Sequence, residues 1–182
     1  MTAPFKPLFC VFFATALASG ALSAMAQGAI DVGQNVPDAA AIKEGLFPED
    51  TCKDLKEAGF KCMGFKPATK YSLPATTFQV GSAELPETLR KQLDVFAQVL
   101  REEKSEGRVV LIEGHADASG TPEANMALSQ RRAVAVKAYL VAKGADPAML
   151  QVVGRGSDAP KDPQNPNSAE NRRVEIGRAK QP

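Results

Sequence analysis

An acid and a guanidinium in the C-terminal half of this chain are the residues whose types could do chemistry. Asp117 stands in Gly114-His115-Ala116-Asp117-Ala118-Ser119-Gly120, and Arg132 lies in the stretch that follows. A carboxylate accepts hydrogen bonds from an ammonium group. A guanidinium holds a carboxylate through two parallel hydrogen bonds. An amino-acid head group presents both partners a few ångströms apart, so the pair suits a zwitterion. The same two residues could instead close on each other as a salt bridge that only fixes the loop. Spacing alone favours that plainer arrangement, since structural ion pairs also gather at strand ends.

Other conspicuous side chains read more simply. His115 beside one acid lacks the partners of a metal site or a catalytic dyad and is expected as a hydrogen-bonded loop residue. Ser129 has no base on its own helix face. Gly154 and Gly156 are not followed by a helix start, so they make no phosphate loop. Neither a metal nor a cofactor is expected.

The elements that must position Asp117 and Arg132 follow from hydrophobic patterning. Thr76, Thr77, Phe78 and Val80 suggest a first strand, with Gly81-Ser82 as the turn out of it. Leu89, Leu93, Phe96 and Leu100 recur at helical spacing from Pro86 to about Lys104. Val109 to Ile112 reads as a buried strand, and Glu113 to Gly120 as a polar loop leaving its end. A second helix begins near Pro122, carries Leu128, Val136, Tyr139 and Leu140 inward, and stops at Gly144. On it, Asn125 and Arg132 are two turns apart and share a face. Leu150 to Val153 forms a third strand. A Pro- and Asn-rich loop spans Asp158 to Asn167, and Arg173 to Ile176 is the last strand. The order β-α-β-α-β-loop-β predicts an α+β domain with helices packed on a mixed sheet, its crossovers right-handed and its last strand, which follows no long helix, free to run antiparallel.

Composition bounds the remaining possibilities. The net charge is +1 and the chain has no Trp and one His. No basic run or aromatic-basic interleaving points to nucleic acid, which is not an expected partner. Lys6, the apolar stretch Leu8 to Ala21 and the small residues of Ala24-Met25-Ala26 form the pattern of a cleaved signal peptide over residues 1–26. The apolar run is shorter than the ~20 residues a spanning helix needs, so no transmembrane segment is expected in the mature chain. Cleavage removes Cys10 and leaves Cys52 and Cys62, which export would pair as a disulfide. Residues 27–75 are weakly patterned and read as an accessory extension. Asp50-Thr51 would cap a short helix there, ended by Gly59. The main domain is placed at 76–178, followed by a polar tail at 179–182.

Several of these segments resemble the OmpA-like (OmpA/Pal/MotB) C-terminal domain. The likeness is carried by Gly114-His115-Ala116-Asp117, Asn125, Leu128-Ser129, Arg132-Ala133, Val136 and Asn171-Arg172-Arg173-Val174, with Gly81-Ser82-Ala83-Glu84-Leu85 at the end of the first strand. It runs from about Thr76 to Gly177. The resemblance implies a β-α-β-α-β-β OmpA-like sandwich that binds peptidoglycan non-covalently through the diaminopimelate of its stem peptide. Asp117 and Arg132 would hold the amino and carboxylate groups, and Asn125 and Arg172 match positions lining the same pocket. The family usually carries Thr where Ala116 stands, and often Asp near Gln79 and Gly81.

The expected protein is a periplasmic binding module, not an enzyme, with outer-membrane association as a further possibility. Peptidoglycan is the expected partner, envelope proteins a second class. An interaction module that uses this fold without wall binding is the alternative. A wall hydrolase is the weakest reading, since a glycosidase needs two placed carboxylates.

Overall fold

A computed structural model describes residues 29–33, 35–61, 67–74, 78–79 and 81–179. The signal-peptide expectation therefore lies outside the described residues, as does Cys62, the expected partner of Cys52. The described chain forms β1 (Ile30–Asp31), α1 (Ala39–Leu46), α2 (Pro48–Glu57), β2 (Tyr71–Pro74), α3 (Glu87–Glu102), β3 (Val110–His115), α4 (Pro122–Ala142), β4 (Leu150–Gly154) and β5 (Arg173–Arg178). Short 3-10 turns sit at Pro147–Met149 and Ala169–Asn171.

The five strands form one mixed sheet in the order β1-β2-β5-β3-β4. β3 and β4 are parallel, joined by the α4 crossover. β5 runs antiparallel to both of its neighbours, β2 and β3. The α+β class with helices on a mixed sheet is as the patterning predicts. Alternation along the strands decides which face is apolar. Tyr71 and Leu73, Val110 and Ile112, and Val174 and Ile176 are all buried in the core. They meet Leu89, Leu93, Phe96 and Leu100 of α3 and Val136 and Leu140 of α4.

The expected first strand, Thr76 to Val80, is described only in part. Thr76, Thr77 and Val80 lie outside the described residues, and Phe78 and Gln79 form no strand. The strand before α3 is β2, whose Tyr71 and Leu73 face the core while its backbone pairs with β5. β3 is also longer than expected and takes in Glu113 to His115. A central strand with partners on both sides keeps its ladder beyond the apolar run. Likewise α2 starts at Pro48, in the first helical turn, so Asp50 lies within the helix and does not cap it.

The segment read as an accessory extension shares the sheet and the core. β1 pairs with β2 as an edge strand. Ile42, Leu46 and Phe47 are fully buried, and the Tyr71 hydroxyl donates to the Ala41 carbonyl at 3.1 Å. Two guanidiniums approach the Phe47 ring, Arg108 at 5.0 Å and Arg178 at 5.2 Å from its centroid. Those arginines pair with Asp50 (2.5 Å) and Glu49 (2.7 Å) of α2. Cation–π contact and ion pairing thus clamp the N-terminal helices to the end of the sheet.

Candidate functional site

The site is assembled where β3 ends and α4 begins. Thr121 caps α4, its Oγ1 accepting from the Ala124 amide at 3.2 Å, and Pro122 fits the first turn. The buried face of α4 changes character along its length. Asn125, Ser129 and Arg132 occupy the first half, Ala133, Val136 and Leu140 the second. Leu128 and Tyr139, expected inward, are only partly buried. The polar half overlies the strand ends at close range because two glycines permit it. Gly114 and Gly154 are paired across β3 and β4, and a Cβ on either would collide with Ser129 or Gln130 of α4.

Asp117 lies in the loop after β3 and is 7% exposed. Its Oδ2 accepts from Arg172 Nη1 at 2.6 Å. Its Oδ1 accepts from the Ser119 amide at 3.1 Å and from the Ser119 hydroxyl. Burial pushes its carboxyl pKa up, but the hydrogen bonds from Ser119 and Arg172 outweigh burial and hold it below the usual value. The group is therefore ionised at neutral pH. Asn125 Nδ2 donates to the Asp117 carbonyl at 2.8 Å, tying the loop to α4.

Arg132 heads the fully buried side chains by size and is 1% exposed. Its Nε donates to the Ser82 carbonyl at 3.0 Å, and its Nη2 reaches the Gln79 carbonyl at 3.4 Å. The guanidinium lies over the Phe78 ring, 4.7 Å from the centroid. Nη1 has no hydrogen-bond partner, and no carboxylate pairs with Arg132 among the described residues. Burial lowers its pKa, and repulsion from Arg172 adds to this. The internal Asp117–Arg132 salt bridge that spacing allows is not formed, because Asp117 is held by Arg172. Asp117, Asn125, Arg132 and Arg172 all line one cavity of about 460 Å³.

Sequence reasoning gave no site role to Ser119, Phe78, Asn171 or Arg131. Ser two residues after Asp is a turn signature that could have flagged Ser119. Asn171 is buried, and its amide reaches the Asn165 and Pro166 carbonyls, each at 3.0 Å. Pro166 in turn accepts from the Ala118 amide at 3.0 Å, so Asn171 braces the Asp117 loop. Arg131 is exposed and stands on the cavity wall.

A second polar cluster occupies the face of the sheet away from the helices. Glu113 pairs with Lys70 (2.5 Å) and Arg155 (2.6 Å), and Glu175 with Arg173 (2.6 Å) and Lys70 (3.2 Å). The segment after β4 crosses this face. Arg173 Nη2 donates to the Ala159 carbonyl at 3.2 Å, and Lys161 pairs with Asp31 at the far edge. Arg172 and Arg173 thus point to opposite sides, Arg172 into the cavity. His115 is not the hydrogen-bonded loop residue expected. It ends β3, is 3% exposed, and neither ring nitrogen has a hydrogen-bond partner. Burial and the Arg173 charge lower its pKa to about 4, against the opposing pull of Glu175, 3.8 Å away.

A mixed sheet with helices on one face and a charged cavity at its strand ends defines a small α+β domain. The chain belongs to the OmpA family, whose model matches residues 77–174. The peptidoglycan-associated lipoprotein of Pseudomonas aeruginosa is 43% identical over 101 residues, 54% of this chain and 58% of that protein. Outer membrane protein A of Bordetella avium is 40% identical over 103 residues, 56% of this chain and 52% of that protein. The chain thus spans less than two thirds of the length of these relatives. Among solved structures, the peptidoglycan-associated lipoprotein of Burkholderia pseudomallei superposes with a TM-score of 0.51 at 30% identity, covering 59% of this chain and 89% of that one. The periplasmic domain of Helicobacter pylori MotB shares the fold, with a TM-score of 0.55 at 19% identity over 65% of this chain and 80% of that one.

Proposed function

We propose that this protein is a non-enzymatic periplasmic module that binds peptidoglycan non-covalently and grips the diaminopimelate of the stem peptide. One observation carries the reading: Arg132, a buried guanidinium with an unpartnered Nη1 and no carboxylate of its own, lines the same cavity as the ionised Asp117. A buried cation without an anion is costly, and a ligand carboxylate offsets that cost. Asp117 keeps acceptor capacity for an ammonium, since Oδ2 accepts only from Arg172. Asn125 and Arg172 hold the Asp117 loop and carboxylate in place. The relatives named for association with peptidoglycan support the same reading.

The test is co-sedimentation with isolated diaminopimelate-type walls. Wild type is expected in the pellet, with Asp117→Ala and Arg132→Ala in the supernatant and no muropeptides released. Lysine-type walls lack the side-chain carboxylate and should bind about ten- to a hundredfold more weakly, the loss of one charge-assisted contact of ~1.5–3 kcal/mol. Equal binding to both wall types would defeat the assignment of Arg132. Export with loss of residues 1–26 and a Cys52–Cys62 disulfide belong to the same reading. Intact mass of the periplasmic protein, with and without thiol labelling, checks both.

A further inference from the structure

The charges that line the cavity do not balance. Arg131, Arg132 and Arg172 are set against Asp117 alone. Arg172 is already committed to Asp117 at 2.6 Å. Arg132 feels repulsion from both Arg172 and Arg131, which together outnumber the one acid attracting it. Arg131 itself sits on the exposed side of α4, one residue before Arg132, and forms no ion pair among the described residues. A ligand that offers one ammonium and one carboxylate satisfies Asp117 and Arg132 but leaves this excess of positive charge in place.

We infer that the cavity selects a ligand end with two carboxylates for each ammonium, and that Arg131 reads the second carboxylate. This rests on the diaminopimelate reading and narrows it. Within a stem peptide, diaminopimelate meets the requirement when it is the last residue, because its main-chain carboxylate is then free as well as the one on its side chain. Amidation of that terminus, or extension of the peptide beyond it, removes or displaces the second anion. Arg131 is a specificity-determining residue at the mouth, whereas Arg132 holds the buried carboxylate. An exposed pair is screened by water and salt, so its effect on affinity is modest, about two- to fivefold at low salt, and it fades as ionic strength rises.

Calorimetric titration with three synthetic peptides separates this inference from the reading beneath it. The first is L-alanyl-γ-D-glutamyl-diaminopimelate with both diaminopimelate carboxylates free. The second is amidated at the main-chain carboxylate, the third at the side-chain carboxylate. Wild type should bind the second about two- to fivefold more weakly than the first, and Arg131→Gln should bind both alike. Circular dichroism confirms that this exposed substitution leaves the fold intact. Equal affinity of wild type for the first and second peptides overturns the inference while leaving the diaminopimelate reading standing. An equal loss on amidation in wild type and Arg131→Gln removes Arg131 from the role. Equal binding of the first and third peptides, or no binding of any, overturns the underlying reading and this one with it.

Discussion

Two clusters of buried charge flank the end of β3, and they are completed in opposite ways. On the sheet face away from the helices, each carboxylate has two cationic neighbours: Glu113 has Lys70 and Arg155, and Glu175 has Arg173 and Lys70. Burial pushes both acids' pKa values up, but their partners outweigh it and hold both below the usual range. In the cavity beneath α4, the acid is paired and the most deeply buried guanidinium is not. A network whose acids are all satisfied internally holds structure. A buried cation left without an anion costs stability, and that cost is recovered when a ligand arrives. Two clusters of similar residue types, on opposite faces of one strand end, thus differ in completeness, and under the proposed function one is a brace and the other a receptor.

The largest expected effect tests the brace. Glu175→Ala leaves Arg173, which is 5% exposed, with only the Ala159 carbonyl and a partnerless Nη1. Removing one member of a buried pair costs about 3–5 kcal/mol, because the other charge stays buried. Urea unfolding should show that loss, with a matching fall in the midpoint. A loss below about 1 kcal/mol would mean that water reaches the cluster and that it braces nothing.

The next effect concerns acid. His115 is held neutral in the fold, its pKa lowered from 6.5 to about 4 by burial and by Arg173. Below pH 6.5 the unfolded chain takes up a proton that the folded chain refuses. Stability from this group is complete above pH 6.5 and is lost between 6.5 and about 4, by roughly 2–3 kcal/mol. Glu113 and Glu175 act in the same direction, but only as the pH falls through the carboxylate range. His115→Gln should therefore flatten the upper limb of the stability–pH curve and leave the lower limb in place. An unchanged curve between pH 6.5 and 5 would show that His115 titrates normally.

Much of this arrangement was legible in the sequence because it rests on strong local signals. The 3.6-residue spacing of Leu89, Leu93, Phe96 and Leu100 gave α3, and Pro122 with Gly144 bracketed α4. The two-turn separation of Asn125 and Arg132 put both on one buried face. The parts that were missed depend on tertiary pairing. β1 is two residues long and exists through its ladder to β2. α1 buries Ile42 and Leu46 against elements distant in sequence, and its alanine-rich start gives a faint periodic signal. Local pattern puts His115 in a loop, because nothing in it reveals that β3 has partners on both sides. The Arg172–Asp117 pair joins residues far apart along the chain, so only the family likeness pointed to it. That likeness named Arg172 as a pocket residue without showing that it would occupy the acid and leave Arg132 free.

The smallest change in stability is expected at the residue with the largest consequence for binding. Arg132→Met keeps most of the side-chain volume and the contact with Phe78 but removes the buried charge. Two hydrogen bonds to the Ser82 and Gln79 carbonyls are lost. Gln79 is exposed and Ser82 partly so, and water can take up both acceptors. Against that loss stands the relief of a desolvated guanidinium with an unpartnered Nη1. The two contributions oppose each other, so unfolding free energy should move by no more than about 1 kcal/mol in either direction, while affinity for diaminopimelate-containing peptide falls at least about tenfold. Arg132→Lys should fold as well and also bind poorly, because an ammonium cannot form the two-pronged contact. Denaturation and calorimetric titration on the same preparations check both halves. A loss of 3 kcal/mol or more in Arg132→Met, comparable with Glu175→Ala, would place Arg132 with the brace, and the contrast between the two clusters would no longer hold.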